Sequence, residues 1–120
     1  MPNVCVLSIN VPDMELAKQF YCKKLGFELA EQYDEKTIQL QHDGIYIILS
    51  KAERATSVDY PAEAQVVPGI ATDDIVKTVT AYKSLGIEFI YDAPLPSPAG
   101  LYTAFKDPFG NVFELLEFSE

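Results

Sequence analysis

Apolar positions along the chain fall first into a strand rhythm and then into a helical one. VCVLSINV (Val4 to Val11) is rich in β-formers and almost wholly apolar, which predicts a strand. Pro12-Asp13 ends that strand and opens a helix, with Asp13 as its N-cap. Leu16, Ala17, Phe20, Lys24 and Leu25 follow at helical spacing, and Gly26 stops the helix. Three further strands are expected over Phe27 to Gln32, Thr37 to Gln41 and Ile45 to Ser50. His42-Asp43-Gly44 joins the last two as a hairpin turn, with His42 a solvated turn residue. The first module therefore reads βαβββ. Lys51 to Ala64 carries no convincing period and reads as a connection.

The same rhythm then returns. Gln65 to Ala71 predicts a strand, and Thr72-Asp73-Asp74 caps a helix carrying Ile75, Val79, Tyr82 and Leu85. Gly86 ends it, and strands follow over Ile87 to Tyr91, Leu101 to Lys106 and Asn111 to Phe118. INVPDMELAKQFYCKKLGFEL places Asp13, Leu25-Gly26 and Glu28 where IATDDIVKTVTAYKSLGIEF places Asp74, Leu85-Gly86 and Glu88. One residue is lost between Asp and Gly in the second copy. A repeat near half the chain length implies duplication of one supersecondary unit.

Neither half could bury its sheet face and helix well alone. The expected fold is α+β: two paired βαβββ modules forming a curved mixed sheet around a cavity, with helices outside. One domain over 1–120 is expected, with modules at about 3–50 and 65–120 and the connection at about 51–64. A cavity between repeats suits a small molecule.

Charge narrows the partners. The formal net charge is −9 with nine Lys plus Arg, so no basic stripe exists to neutralise phosphates, and neither nucleic acid nor an anionic membrane surface is expected. No apolar run approaches the roughly 20 residues of a membrane helix, and MPNVCVLSINV lacks the basic region of a signal peptide. Cys5 and Cys22 show neither metal spacing nor a disulfide framework; a cytoplasmic location with reduced thiols follows, with Cys22 a packing residue.

One polar residue interrupts the last apolar strand. Glu114 alternates with Val112, Leu116 and Phe118 on one face, while Phe113, Leu115 and Glu117 take the other. A carboxylate held away from water is costly unless it is paired, protonated or bound to a cation. Glu114 is therefore the first candidate site residue, with Tyr46, Tyr102 and Phe105 as candidate lining. Asp107-Pro108-Phe109-Gly110-Asn111 reads as turn chemistry. YDAPLPSPAG (Tyr91 to Gly100) has prolines at alternate positions, which predicts an extended connector or a semi-rigid loop over the cavity mouth.

With the paired βαβββ layout, the opening VPDMELAKQFYCKKLGF and the close DPFGNVFEL, the chain resembles the vicinal oxygen chelate superfamily. That group includes glyoxalase I, extradiol dioxygenases, fosfomycin-resistance enzymes and bleomycin-binding proteins. The resemblance covers essentially the whole chain and implies a divalent ion held by side chains at equivalent positions of the two modules. Carried over by position, those ligands fall on Val6, about Ile47, Val67 and Glu114. Three of the four are aliphatic and cannot coordinate, and one carboxylate does not hold a catalytic transition metal.

The resemblance therefore implies a metal-free small-molecule-binding protein of the glyoxalase/bleomycin-resistance type, with no cofactor expected. Its cavity would be lined by Val6, Ile47, Val67, Glu114, Tyr46, Tyr102 and Phe105. The ligand would be a small organic molecule, cationic or aromatic, and the resemblance also implies a homodimer. The alternative is a lactoylglutathione-lyase-like lyase or isomerase using Glu114 as base or metal ligand.

Overall fold

A computed structural model describes residues 1–41 and 44–119, so the predicted turn at His42-Asp43 lies outside the described residues. The architecture is α+β, with two mixed sheets. The chain divides into two compact units, Met1–Ala55 and Thr56–Glu120.

The first unit runs β1 (Val6–Val11), α1 (Met14–Lys18), a π-helical segment (Gln19–Lys24), β2 (Glu28–Asp34), β3 (Thr37–Gln41) and β4 (Tyr46–Lys51). The sheet order is β1-β4-β3-β2. β1 and β4 are parallel, the other pairs antiparallel. Asp13 caps α1, its Oδ1 accepting the Leu16 amide at 3.1 Å, which satisfies one of the orphan donors of a helix start. Ile9, Val11, Ile38, Leu40, Ile47 and Leu49 form the apolar sheet face, and Ala17, Phe20 and Tyr21 are buried with them. Each fully buried aliphatic side chain contributes roughly 1.5–3 kcal/mol.

The single helix expected over this stretch divides in two. Thirteen sequence steps separate Asp13 from Gly26 and twelve separate Asp74 from Gly86. The additional residue widens the last turn into i→i+5 bonding, with the Leu25 amide donating to the Phe20 carbonyl at 3.0 Å. Both stops share one conformation: Gly26 and Gly86 each have φ 83°, a left-handed geometry that any Cβ would strain.

The second unit runs β5 (Gly69–Ala71), α2 (Ile75–Ser84), β6 (Glu88–Phe89), β7 (Leu95–Ser97), β8 (Gly100–Lys106) and β9 (Val112–Phe118). Its order is β5-β9-β8-β6, with β7 also paired to β8. β5 and β9 are parallel. Two carboxylates fix the start of α2. Asp74 Oδ1 accepts the Lys77 amide at 3.0 Å, and Glu117 Oε1, from β9, accepts the Ile75 amide at 2.9 Å. An aromatic cluster fills the helix side of this sheet. Phe105 lies 5.5 Å from Phe113 in a stacked pair, 5.6 Å from Tyr82 edge-on and 5.7 Å from Phe89.

The strand expected over Ile87 to Tyr91 shortens to Glu88–Phe89, and two further differences from expectation involve prolines. The strand expected over Gln65 to Ala71 shortens to Gly69–Ala71. Pro68 has no amide to donate, although its carbonyl accepts the Glu114 amide at 2.9 Å. The proline-rich stretch Tyr91 to Gly100 is not wholly a loop, because Leu95–Ser97 pairs with β8. β6 and β7 line the outer edge of β8 at its two ends, an edge position that tolerates Pro96.

Candidate functional site

Strand alternation decides which side chains meet. On β9, Phe113, Leu115 and Glu117 face α2, and Glu117 caps it. Val112, Glu114 and Leu116 therefore face away from α2. Glu114 stands opposite Ala104 on β8 and Gly69 on β5, with Tyr102 opposite Leu116 one pair along. Gly69 is small because Leu116 lies over it: a Cβ there would come within 2.8 Å of Leu116 Cδ1.

A third element reaches this face from outside the sheet. Tyr60 donates its hydroxyl to Glu114 Oε2 at 2.6 Å, the short distance of a charge-assisted bond. The segment carrying Tyr60 is anchored to the rest of the unit at Thr56 and closed on itself around Tyr60. The Thr56 amide donates to the Phe109 carbonyl at 3.0 Å. Asp59 and Glu63 exchange bonds at 2.8 Å, the Asp59 amide to Glu63 Oε1 and the Glu63 amide to the Asp59 carbonyl. The Phe109 anchor belongs to the Asp107–Asn111 turn, closed by the buried Asp107 carboxylate. Its Oδ1 accepts the Phe109 and Asn111 amides at 2.9 and 2.8 Å, and its Oδ2 accepts Asn111 Nδ2 at 2.8 Å.

Tyr91 completes the cluster. Its ring lies 6.2 Å from Tyr60 and 6.1 Å from Tyr102, both edge-to-face, spacings at which aromatic pairs attract. Glu114 and the three tyrosines are all half-buried. Burial pushes the Tyr60 phenol far above the ordinary range, and the hydrogen bond and charge of Glu114 add to the shift. Tyr102 is raised in the same direction, by burial and then by Tyr91 and Glu114. Among the described residues the salt bridge formed is Lys18–Glu15, at 3.5 Å in the first unit, so Glu114 has no basic partner there.

Within each unit, the residues expected to line one cavity fall on different faces of the sheet. Tyr102 and Glu114 share a face. Phe105 does not; it is fully buried on the helix side of β8, in the aromatic cluster. Ile47 differs from expectation for the same reason. It pairs with Leu7 and is 5% exposed, on the face opposite Val6. Val6 and Tyr46 pair with each other on the open face of the first sheet, 41% and 45% exposed. Val67 is half-buried ahead of β5, and His42 lies outside the described residues. Tyr60 and Tyr91 were not foreseen. Tyr60 sits in a stretch without period, and Tyr91 at the edge of the proline-rich one.

The donor set does not fit the divalent ion that the resemblance implies. Among the described residues no group of three His, Cys, Asp or Glu side chains could hold a metal ion. Glu114 has Ala104, Gly69 and Tyr102 as its strand neighbours, and Tyr60 already occupies Oε2. What remains is an acceptor carboxylate bonded to the Tyr60 phenol, with the Tyr91 ring between those of Tyr60 and Tyr102, a group able to hold hydrogen-bond donors and positive charge.

A family model of the Glyoxalase/Bleomycin resistance protein/Dioxygenase superfamily matches residues 3–115. The chain belongs to that superfamily. Among its relatives, the uncharacterized protein YetH of Bacillus subtilis is 30% identical over 118 residues, covering 92% of this chain and 94% of YetH. A superfamily member from Sphaerobacter thermophilus superposes with a TM-score of 0.75 at 26% identity, over 98% of both chains. TnmS3, an antibiotic binding protein from a Streptomyces species, superposes at 0.72 with 25% identity, over 99% of this chain and 98% of TnmS3. The fold, two sheets with short helices, matches that of the Sphaerobacter thermophilus superfamily member. No helix among the described residues is long and apolar enough to cross a membrane.

Proposed function

We propose that this protein binds a small organic molecule on the Glu114 face of its second sheet, without a transition metal. The observation that carries the reading is the Tyr60–Glu114 hydrogen bond beside the Tyr91 and Tyr102 rings. It combines one fixed polar group with aromatic walls, the usual economy of a small-molecule site. The scarcity of metal donors around Glu114 favours binding through these groups alone. The likeness to an antibiotic binding protein supports the same direction.

A thermal-shift screen tests the reading. A ligand that binds only the folded state at about 100 times its Kd adds roughly 2.7 kcal/mol of stability. Binders are expected whose effect falls in Glu114→Gln and Tyr91→Leu. A library of cationic, neutral and aromatic compounds that leaves stability unchanged would overturn the reading. Turnover of a compound, abolished in Glu114→Gln, would replace it with catalysis by a Glu114 base of the lactoylglutathione-lyase-like kind.

A further inference from the structure

Resting on that binding reading, we infer that the ligand is a bulky organic cation, a tertiary or quaternary ammonium. The argument begins with charge balance. Glu114 is half-buried, and among the described residues it has no Lys or Arg partner. Its side-chain partner is Tyr60, a neutral donor. A carboxylate withdrawn from water without a counter-ion is costly, and a bound cation removes that cost.

The surroundings select the kind of cation. The rings of Tyr60, Tyr91 and Tyr102 succeed one another edge-to-face at 6.2 and 6.1 Å, next to the carboxylate. Phenol faces attract cations most when the ion sheds water easily. An alkylated ammonium does so, whereas a primary ammonium brings three N–H donors that each need an acceptor. At the carboxylate, Glu114 Oε2 already receives the Tyr60 hydroxyl at 2.6 Å, so a primary ammonium would have to complete its bonding on phenol oxygens, which are weaker acceptors than the water it gives up. A tertiary ammonium needs one acceptor, which Oε1 provides, and a quaternary one needs none. A hard metal ion would need several oxygen ligands in one shell, and the acidic groups for that are absent among the described residues. The cluster thus combines one carboxylate and three rings, and among the described residues Glu114 has no ion-pair partner.

The test is a titration of the intact chain by heteronuclear NMR at constant ionic strength. The probes are choline, its neutral isostere 3,3-dimethylbutan-1-ol, and methylammonium. Choline is expected to shift the Tyr60, Tyr91 and Tyr102 signals and to bind at least tenfold more tightly than either comparison compound. Glu114→Gln is expected to lose at least tenfold in choline affinity. Tyr91→Leu should lose affinity and Tyr91→Phe should keep most of it, since the ring rather than the hydroxyl meets the cation. Equal binding of choline and the neutral isostere would overturn the cation while leaving the small-molecule reading intact. So would methylammonium binding as tightly as choline. Absence of any choline effect at the three tyrosines would also overturn the cation, and the small-molecule reading would then stand or fall on the neutral compounds of the screen.

Discussion

Tyr60 lies in DYPAE, a stretch whose composition says only that it connects two modules, yet it makes the hydrogen bond on which the proposed site is built. Glu114 was legible because a lone carboxylate in an apolar strand is a local anomaly. Its partner was not, because a contact across 54 positions leaves no mark on periodicity. The Tyr60–Glu114 bond has a consequence for pH. An unfolded tyrosine ionises near pH 10, and the folded Tyr60 is held protonated well above that. Below about pH 10 both states carry the proton and the contribution is fully present. As pH rises past 10 the unfolded state loses its proton first, so stability is lost towards the folded value. Tyr60→Phe should cost about 1 kcal/mol at pH 8, a moderate figure because the pair is half-exposed. The gap between wild type and variant should narrow by pH 11. Urea midpoints at the two pH values measure both; a gap that stays constant or widens would contradict the assigned bond.

At the scale of elements, the repeat was read correctly where caps and stops carry the signal. Asp13 and Asp74 cap as expected, and Gly26 and Gly86 have the same φ of 83°. The one-residue difference was visible too, but not its form. A fixed cap and a fixed stop leave the chain to absorb the extra residue, and a π turn does so without disturbing either end. Pairing was harder to foresee. Leu95–Ser97 joins the sheet because only tertiary contact with β8 decides whether a proline-rich segment pairs. Two predictions belong here. Glu117→Ala removes the β9 carboxylate from the α2 amide and should cost about 1 kcal/mol. Combined with Asp74→Ala, the loss should be non-additive, since both serve one helix start. Denaturant melts of the two single variants and the double variant measure the coupling. Gly110→Ala should be harsher, at about 2 kcal/mol or more. Gly110 has φ 90°, and a Cβ there would collide with the Thr56 carbonyl. That collision dislodges the anchor of the Tyr60 segment, so choline shifts at Tyr60 should weaken as well. A variant with unchanged stability and unchanged shifts would show that the segment is not held there.

At the scale of the whole chain, a net charge of −9 was readable directly, but where it acts was not. A diffuse negative field attracts any cation, and it is screened within about 10 Å at 0.1 M salt. A cation seated against Glu114 between phenol rings is in contact, and contact interactions persist when the field is screened. The two contributions separate by salt. Between 10 mM and 150 mM sodium chloride, choline affinity should fall only a few-fold, roughly threefold, because the field weakens while the contacts remain. Binding of 3,3-dimethylbutan-1-ol should not respond. In Glu114→Gln the contact is gone but eight-ninths of the net charge remains, so any residual choline binding should be weak and lost almost entirely by 150 mM. A wild-type affinity that collapses with salt as the variant's does would assign the attraction to the field of the acidic surface. A shallow wild-type dependence beside a steep variant one assigns it to Glu114 and its three tyrosines.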